Sequence, residues 1–132
     1  AVIVGAGSKL AEEWPEGIIE APIAKDAFRP NRRVVASGGQ RAVTHFQVLK
    51  DGQSFSLLSL WLETGRTHQI RVHLAYSGYP VLGDKMYGRA DKSLGRQALH
   101  AAALEFIHPL TGEKLQLTAK RPEDFQHLVD NI

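Results

Sequence analysis

Residues 43–62 leave few folds open to this chain. Val43, His45, Gln47 and Leu49 alternate with Thr44, Phe46 and Val48 in a run rich in β-branched residues, the pattern of an extended strand. Lys50-Asp51-Gly52-Gln53 follows, and Asp-Gly between two apolar runs is a strong hairpin signal because both residues tolerate the turn's positive φ. The return strand is expected from Ser54 to Leu62. Phe55 and Leu57 fall in one phase of it, and Leu58, Leu60 and Leu62 in the other. Such a strand is either buried on both faces or carries a bulge. Both readings make it central, which anchors the turn that comes next.

The rest of the chain supplies partners for this hairpin. Val2-Ile3-Val4 reads as a strand, 5–15 as polar and turn-rich, and Gly17 to Ile23 as a short strand or extended segment ended by proline. Residues 24–40, with Arg29, Arg32 and Arg33 beside Pro30 and then Ser37-Gly38-Gly39, are expected to form a long, mobile basic loop. Thr67 is the expected N-cap of a helix running to about Ser77, with Gly78 and Pro80 closing it and Ile70 and Leu74 as its apolar stripe. The turn chemistry of 108–113 between two apolar runs predicts a second antiparallel hairpin. Pro122 at the first helical position, Glu123 and Asp124 behind it, and Phe125, Leu128, Val129 and Ile132 predict an amphipathic C-terminal helix. The expected fold is α+β: an antiparallel or mixed sheet with two main helices.

A chain of 132 residues is a single domain in length, 1–132, large enough to bury about two thirds of its unfolded surface. No apolar run approaches the ~20 residues of a membrane-spanning helix. The absence of cysteine excludes disulfides and thiolate metal sites and accords with a reducing compartment, so a cytoplasmic location is expected. Net charge is only +2, but residues 25–96 hold twelve Lys or Arg against five acids, a local balance of +7. That distribution suits a polyanion-binding face, and equally a solvated surface of mixed charge.

Within the basic stretch, Thr64-Gly65-Arg66-Thr67-His68-Gln69-Ile70-Arg71-Val72-His73 gathers two arginines, two histidines and a glutamine on a glycine turn and the helical turn after it. A helical zinc pair needs histidines at i, i+4, whereas His68 and His73 are five apart and ~140° from each other round the helix. The glycine spacing and Gly-Lys-Ser/Thr ending of a P-loop are missing, and no serine sits in a Gly-x-Ser-x-Gly elbow. An anion is favoured instead, because arginine pairs bidentately with carboxylate or phosphate and glycine lets the backbone approach closely. The competing reading is that Arg66 and Arg71 only hold loops together by pairing with internal acids. Asp51, Asp84, Asp91, Asp124 and Asp130 lie in turns, loops or the terminal helix, and none announces itself as a catalytic acid.

The run 62–74, followed by Gly78-Tyr79-Pro80-Val81-Leu82-Gly83-Asp84 and Tyr87-Gly88, resembles the signature of the RluA-type pseudouridine synthases. Arg96-Gln97-Ala98-Leu99-His100-Ala101 and His108-Pro109-Leu110-Thr111-Gly112-Glu113 are similar to later motifs of the same family in order and spacing, so the resemblance covers nearly the whole chain. It implies isomerisation of uridine to pseudouridine in structured RNA, rRNA or tRNA, with no metal and no cofactor. An aspartate attacks covalently, and the uracil is detached, turned and rejoined through carbon after the nucleotide is flipped out. In the family an arginine pairs with that aspartate, and the matching position is Arg71. Arg66, Thr67, His68 and Gln69 would line the RNA-facing rim, and Leu99 part of the uracil pocket. The family's nucleophile lies in His-Arg-Leu-Asp, a tetrad absent from these residues. The chain is therefore expected to be the C-terminal part of a pseudouridine synthase catalytic domain, lacking the upstream part with the nucleophile and inactive by itself. Self-association through an open sheet edge is also expected. The alternative is a non-catalytic RNA-binding module of the same ancestry; a metal-dependent hydrolase is a third reading.

Overall fold

The computed structural model describes residues 2–5 and 10–132. The expected hairpin is its centre. Strand β1 (Val2–Gly5) and a single helical turn α1 (Leu10–Glu13) precede β2 (Glu16–Glu20), β3 (Ile23–Lys25) and β4 (Arg33–Val35); β5 (Val43–Asp51) and β6 (Phe55–Leu62) then lead into helix α2 (Gln69–Tyr76). Strands β7 (Ala103–Ile107) and β8 (Lys114–Thr118) and helix α3 (Glu123–Asp130) complete the order. A four-stranded sheet runs β1-β6-β5-β2, with β3-β4 and β7-β8 as two separate hairpins. All of these pairings are antiparallel, so the sheet is not mixed among the described residues. The turn-rich stretch expected over 5–15 contains α1, and its residues 6–9 lie outside the described ones.

The return strand is buried on both faces over Ser56–Leu58, and the bulge falls in its partner β5. Leu57 and Leu58 are consecutive and both buried. The partner strand accommodates them with a bulge, because Val48 faces Leu58 while Lys50 faces Leu57, leaving Leu49 as the extra residue. Asp51 does more than turn the chain: its carboxylate accepts the Ser56 hydroxyl and, at 3.0 Å, the Ala11 N–H. The C-terminal helix packs against the same end, where Lys50 Nζ donates to the Val129 carbonyl at 3.2 Å.

The main core joins Val4, Leu57 and Leu58 of the sheet to Leu74 of α2, Val81, Leu82, Leu94 and Ala98 of the long connection, and Phe125, Leu128 and Val129 of α3. Phe125 is fully buried, a side chain whose removal from water contributes on the order of 2–3 kcal/mol. Pro122 stands just before α3, at the capping position rather than as its first helical residue.

Two local expectations are corrected. Residues 24–40 are not a loose loop: Ile23, Ala24 and Lys25 pair with Val35, Val34 and Arg33. Ile23 is buried with Ala42 and Val72, and Val35 and Tyr87 pack on them. Three-residue strands are too short to show a period among proline, glycine and arginine, and one buried isoleucine suffices to anchor them. Thr67 is not the N-cap of α2. His68 takes that position, in the left-handed region at φ 56°, with no capping bond from its own side chain. At the other end Gly78, at φ 90°, closes the helix as expected.

Candidate active site

The turn after β6 is held from inside by an oriented chain of hydrogen bonds. His73 is fully buried, with Nε2 2.8 Å from the Ala21 carbonyl and Nδ1 2.8 Å from Thr44 Oγ1. A carbonyl only accepts, so Nε2 carries the proton and the Thr44 hydroxyl donates to Nδ1. Burial pushes the His73 pKa below its ordinary value, against the opposing pull of Ala21, and keeps the ring neutral. Gln69 donates from Nε2 to Thr44 Oγ1 and the Val43 carbonyl, both at 3.0 Å. Its Oε1 accepts the Thr64 hydroxyl at 2.7 Å and the Arg66 N–H at 3.0 Å. Gln69 thereby ties the turn 64–66 to β5. The structure places it in the interior, 3% exposed, and not on the rim.

Arg71 points from the first turn of α2 to Asp84. Nε donates to Oδ2 at 2.7 Å and Nη2 to Oδ1 at 2.8 Å, a bidentate pair. The Asp84 side chain is wholly inaccessible and that of Arg71 is 14% exposed. Asp84 Oδ1 also accepts the N–H groups of Met86 and Tyr87 at 3.1 and 3.3 Å. Burial pushes this carboxyl upward, but the Arg71 bond, then the Tyr87 and Met86 amides and the Arg71 charge, outweigh it and hold the pKa below its ordinary value. The Arg71 pKa is raised, chiefly by the same hydrogen bond. Asp84 thus supplies a carboxylate for Arg71 within the chain. Gly83 makes this possible: at φ 77° it lies so close to the Arg96 carbonyl that a Cβ would come within 2.3 Å.

Tyr87 joins the remaining pieces. Its hydroxyl accepts the Arg33 N–H at 2.9 Å and lies 2.8 Å from His68 Nδ1. Its ring has the Arg71 guanidinium carbon 5.1 Å from its centroid and that of Arg32 at 5.4 Å. The His68 pKa is lowered by burial first, then by the charges of Arg71 and Arg33.

Two of the clefts beside this corner have basic walls. One of about 320 Å³ lies between the β3-β4 hairpin and the turn, lined by Lys25, Arg33, Gly38, Gly39, Arg66 and Thr67 among others, with no acid in its wall. Arg66 pairs with no acid among the described residues; its Nε donates to the Arg41 carbonyl at 2.9 Å. The second, about 300 Å³, is bounded by Arg71, Gly83, Lys85, Met86, Gly95, Arg96 and Gln97. Leu99 stands apart from both linings and packs, partly buried, on the main core. Cationic walls with exposed backbone around a fixed guanidinium can bind and orient anions, phosphate or carboxylate.

The family model for RNA pseudouridylate synthase matches residues 2–76, more than half of the chain and the whole of the arginine turn. The chain belongs to the RNA pseudouridylate synthase family. It is 50% identical over 115 residues to the "Uncharacterized RNA pseudouridine synthase YhcT" of Bacillus subtilis (strain 168), covering 86% of this chain and 38% of that protein. Against the "Ribosomal large subunit pseudouridine synthase D" of Zymomonas mobilis it is 40% identical over 124 residues, covering 86% and 39%, in line with the RluA-type resemblance of its motifs. Among solved structures, "Human RNA Pseudouridylate Synthase Domain Containing 1" superposes with a TM-score of 0.74 at 26% identity, over 92% of this chain and 53% of that one. The chain thus spans about two fifths of the length of these bacterial relatives. Asp84 and Tyr87 are the residues of the Arg71 corner whose contacts motif reading missed. The one sequence signal for them is their position inside the glycine-punctuated run Gly83-Asp84…Tyr87-Gly88, thirteen and sixteen residues after Arg71.

Proposed function

We propose that this chain supplies the arginine-bearing part of an RNA pseudouridine synthase that isomerises uridine in a structured RNA, rRNA or tRNA, in the cytoplasm. The observation that carries the reading is the state of Arg71. Asp84 engages Nε and Nη2, so the guanidinium plane is fixed, while Nη1 makes no bond among the described residues and the side chain borders an open cleft. A guanidinium held in this way can orient a second carboxylate and keep it ionised. That carboxylate is the aspartate nucleophile which the family resemblance implies and which would come from an upstream segment. The cleft lined by Lys25, Arg33, Arg66 and Thr67 would take RNA phosphates, and His68, bonded to Tyr87, would face RNA beside it.

In a parent protein carrying the nucleophile, Arg71→Ala should abolish turnover while weakening RNA binding less than Lys25→Ala, Arg33→Ala and Arg66→Ala combined. Equal loss of binding in both variants would make Arg71 a phosphate contact and overturn its assignment. The 132-residue chain alone should leave unmodified RNA unconverted. A second reading, an RNA-binding module without catalysis, is favoured by the completeness of the Arg71–Asp84 pair, which needs no further acid to be satisfied. A parent that binds structured RNA and leaves its uridines unconverted would support that alternative.

A further inference from the structure

We infer that Tyr87 is a positioning residue: it locks the basic β3-β4 hairpin onto the Arg71–Asp84 corner, so that the phosphate-facing arm and the arginine move as one body. Its significance for catalysis rests on the function proposed above; the lock itself is independent of that function.

The argument begins with how many elements one side chain touches. Through its hydroxyl Tyr87 receives the β4 backbone at Arg33 and meets His68 of the turn. With the Arg33 N–H donating, the hydroxyl's own proton is available for His68 Nδ1, which directs the remaining ring proton of a neutral His68 to Nε2. Through its ring it contacts two guanidinium groups, Arg32 from the hairpin and Arg71 from α2, each attracted to the π-electrons. Through its backbone N–H it binds Asp84, the carboxylate that Arg71 grips. The ring also packs on the small core of Ile23, Ala42 and Val72 beneath the hairpin.

Apolar packing of Ile23 and Val35 on Val72 of α2 holds the base of the arm, and Tyr87 adds the polar ties. The arm's internal pairing is three residues long on each strand, too short for a stable two-stranded unit in water. Phe28 and Arg29 at its tip are exposed. A short hairpin with an exposed tip opens easily unless something outside it holds it down, and the Tyr87 contacts are placed to do that.

Backbone and side-chain hydrogen exchange on the 132-residue chain, followed by NMR, tests the lock without requiring RNA or activity. The Asp26 N–H, bonded to the Arg32 carbonyl at 3.0 Å, reports the arm; Arg71 Nε–H reports the corner; His108 N–H, bonded to the Glu113 carbonyl at 2.8 Å, is the remote control. Tyr87→Leu should speed exchange at Asp26 and Arg71 about tenfold and leave His108 unchanged, the scale expected for losing a hydrogen bond and two ring contacts. Arg32→Ala should speed exchange at Asp26 in the parent sequence and add little in the Tyr87→Leu background, since both act through one contact. Unchanged exchange at Asp26, or fully additive effects, would overturn the lock. Should Tyr87→Leu not fold, Tyr87→Phe keeps the ring and removes only the hydroxyl, and it must still speed Asp26 exchange about threefold. Absence of RNA binding by the unmodified chain would count against the proposed function and leave the exchange result to decide the lock.

Discussion

The corner around Arg71 and the β3-β4 arm are built from the same residue type and use it in opposite ways. In the corner, one arginine is nearly buried, bonded through two nitrogens to a carboxylate that is itself inaccessible. In the arm, Arg29 is exposed and, among the described residues, Arg33 Nη1 reaches the neighbouring carbonyls of Pro30 and Arg32. A buried guanidinium is worth its desolvation only where its geometry is fixed, and fixed geometry is what chemistry requires. Exposed guanidinium groups keep their hydration and mobility, and act through long-range charge. Arginine content therefore says little by itself; the partner does.

The largest expected difference comes from taking that partner away. Asp84→Ala leaves the largely buried Arg71 charge without its partner and should destabilise the chain by about 3 kcal/mol, read from urea unfolding at pH 7. A loss comparable to that of a surface substitution would erase the contrast between the regions.

Lowering the pH gives a smaller and graded effect, again confined to the corner and the network beneath it. His73 and His68 both have folded pKa values depressed below 6.5, so the folded state favours their neutral rings. Their contribution is complete above about pH 6.5 and falls as the unfolded chain takes up protons below it. Asp84 has the depressed value of a paired carboxylate; its contribution is present above its ordinary 3.8 and is lost as pH falls through the folded value. Stability should thus decline from pH 7.5 to 5.5, and His73→Gln should flatten that slope. An unchanged slope would place the titration elsewhere.

The smallest change in stability belongs to the arm. Arg29→Ala should alter unfolding by less than about 0.5 kcal/mol. If the arm meets RNA, the same substitution should reduce the salt dependence of binding by about one phosphate contact. A large stability loss with no change in salt slope would mean that this arginine belongs with the buried kind.

The contrast also explains what could be read in advance. Strands β5 and β6, the second hairpin and the amphipathic α3 were legible because their signals are local: alternation, Asp-Gly, an i, i+3, i+4 stripe. The family was legible from several linked motifs in order, as the match over residues 2–76 shows. Asp84 was not, because its role exists only after the chain turns back on α2 and Gly83 lets two backbones touch. Gln69 looked like a surface donor among Thr67, His68 and Arg66; nothing local says that its amide would fold inward and bind β5. The arm hid for the opposite reason, since its composition is that of a loop and its order comes from Ile23 and Tyr87.

Gly39 gives the arm a further property. A Cβ there would meet the backbone of Ile23 at 2.7 Å, and Ile23 exchanges both of its main-chain hydrogen bonds with Gln40, at 2.9 and 2.8 Å. Beyond the last β2-β5 pair, the Ala21 N–H reaches the Ala42 carbonyl at 3.2 Å. The ladder of the main sheet is thereby carried almost without interruption into the base of the hairpin. The arm is a rigid outrigger whose heading is set by the twist of that ladder, and any side chain at position 39 would change its aim by wedging two backbones apart.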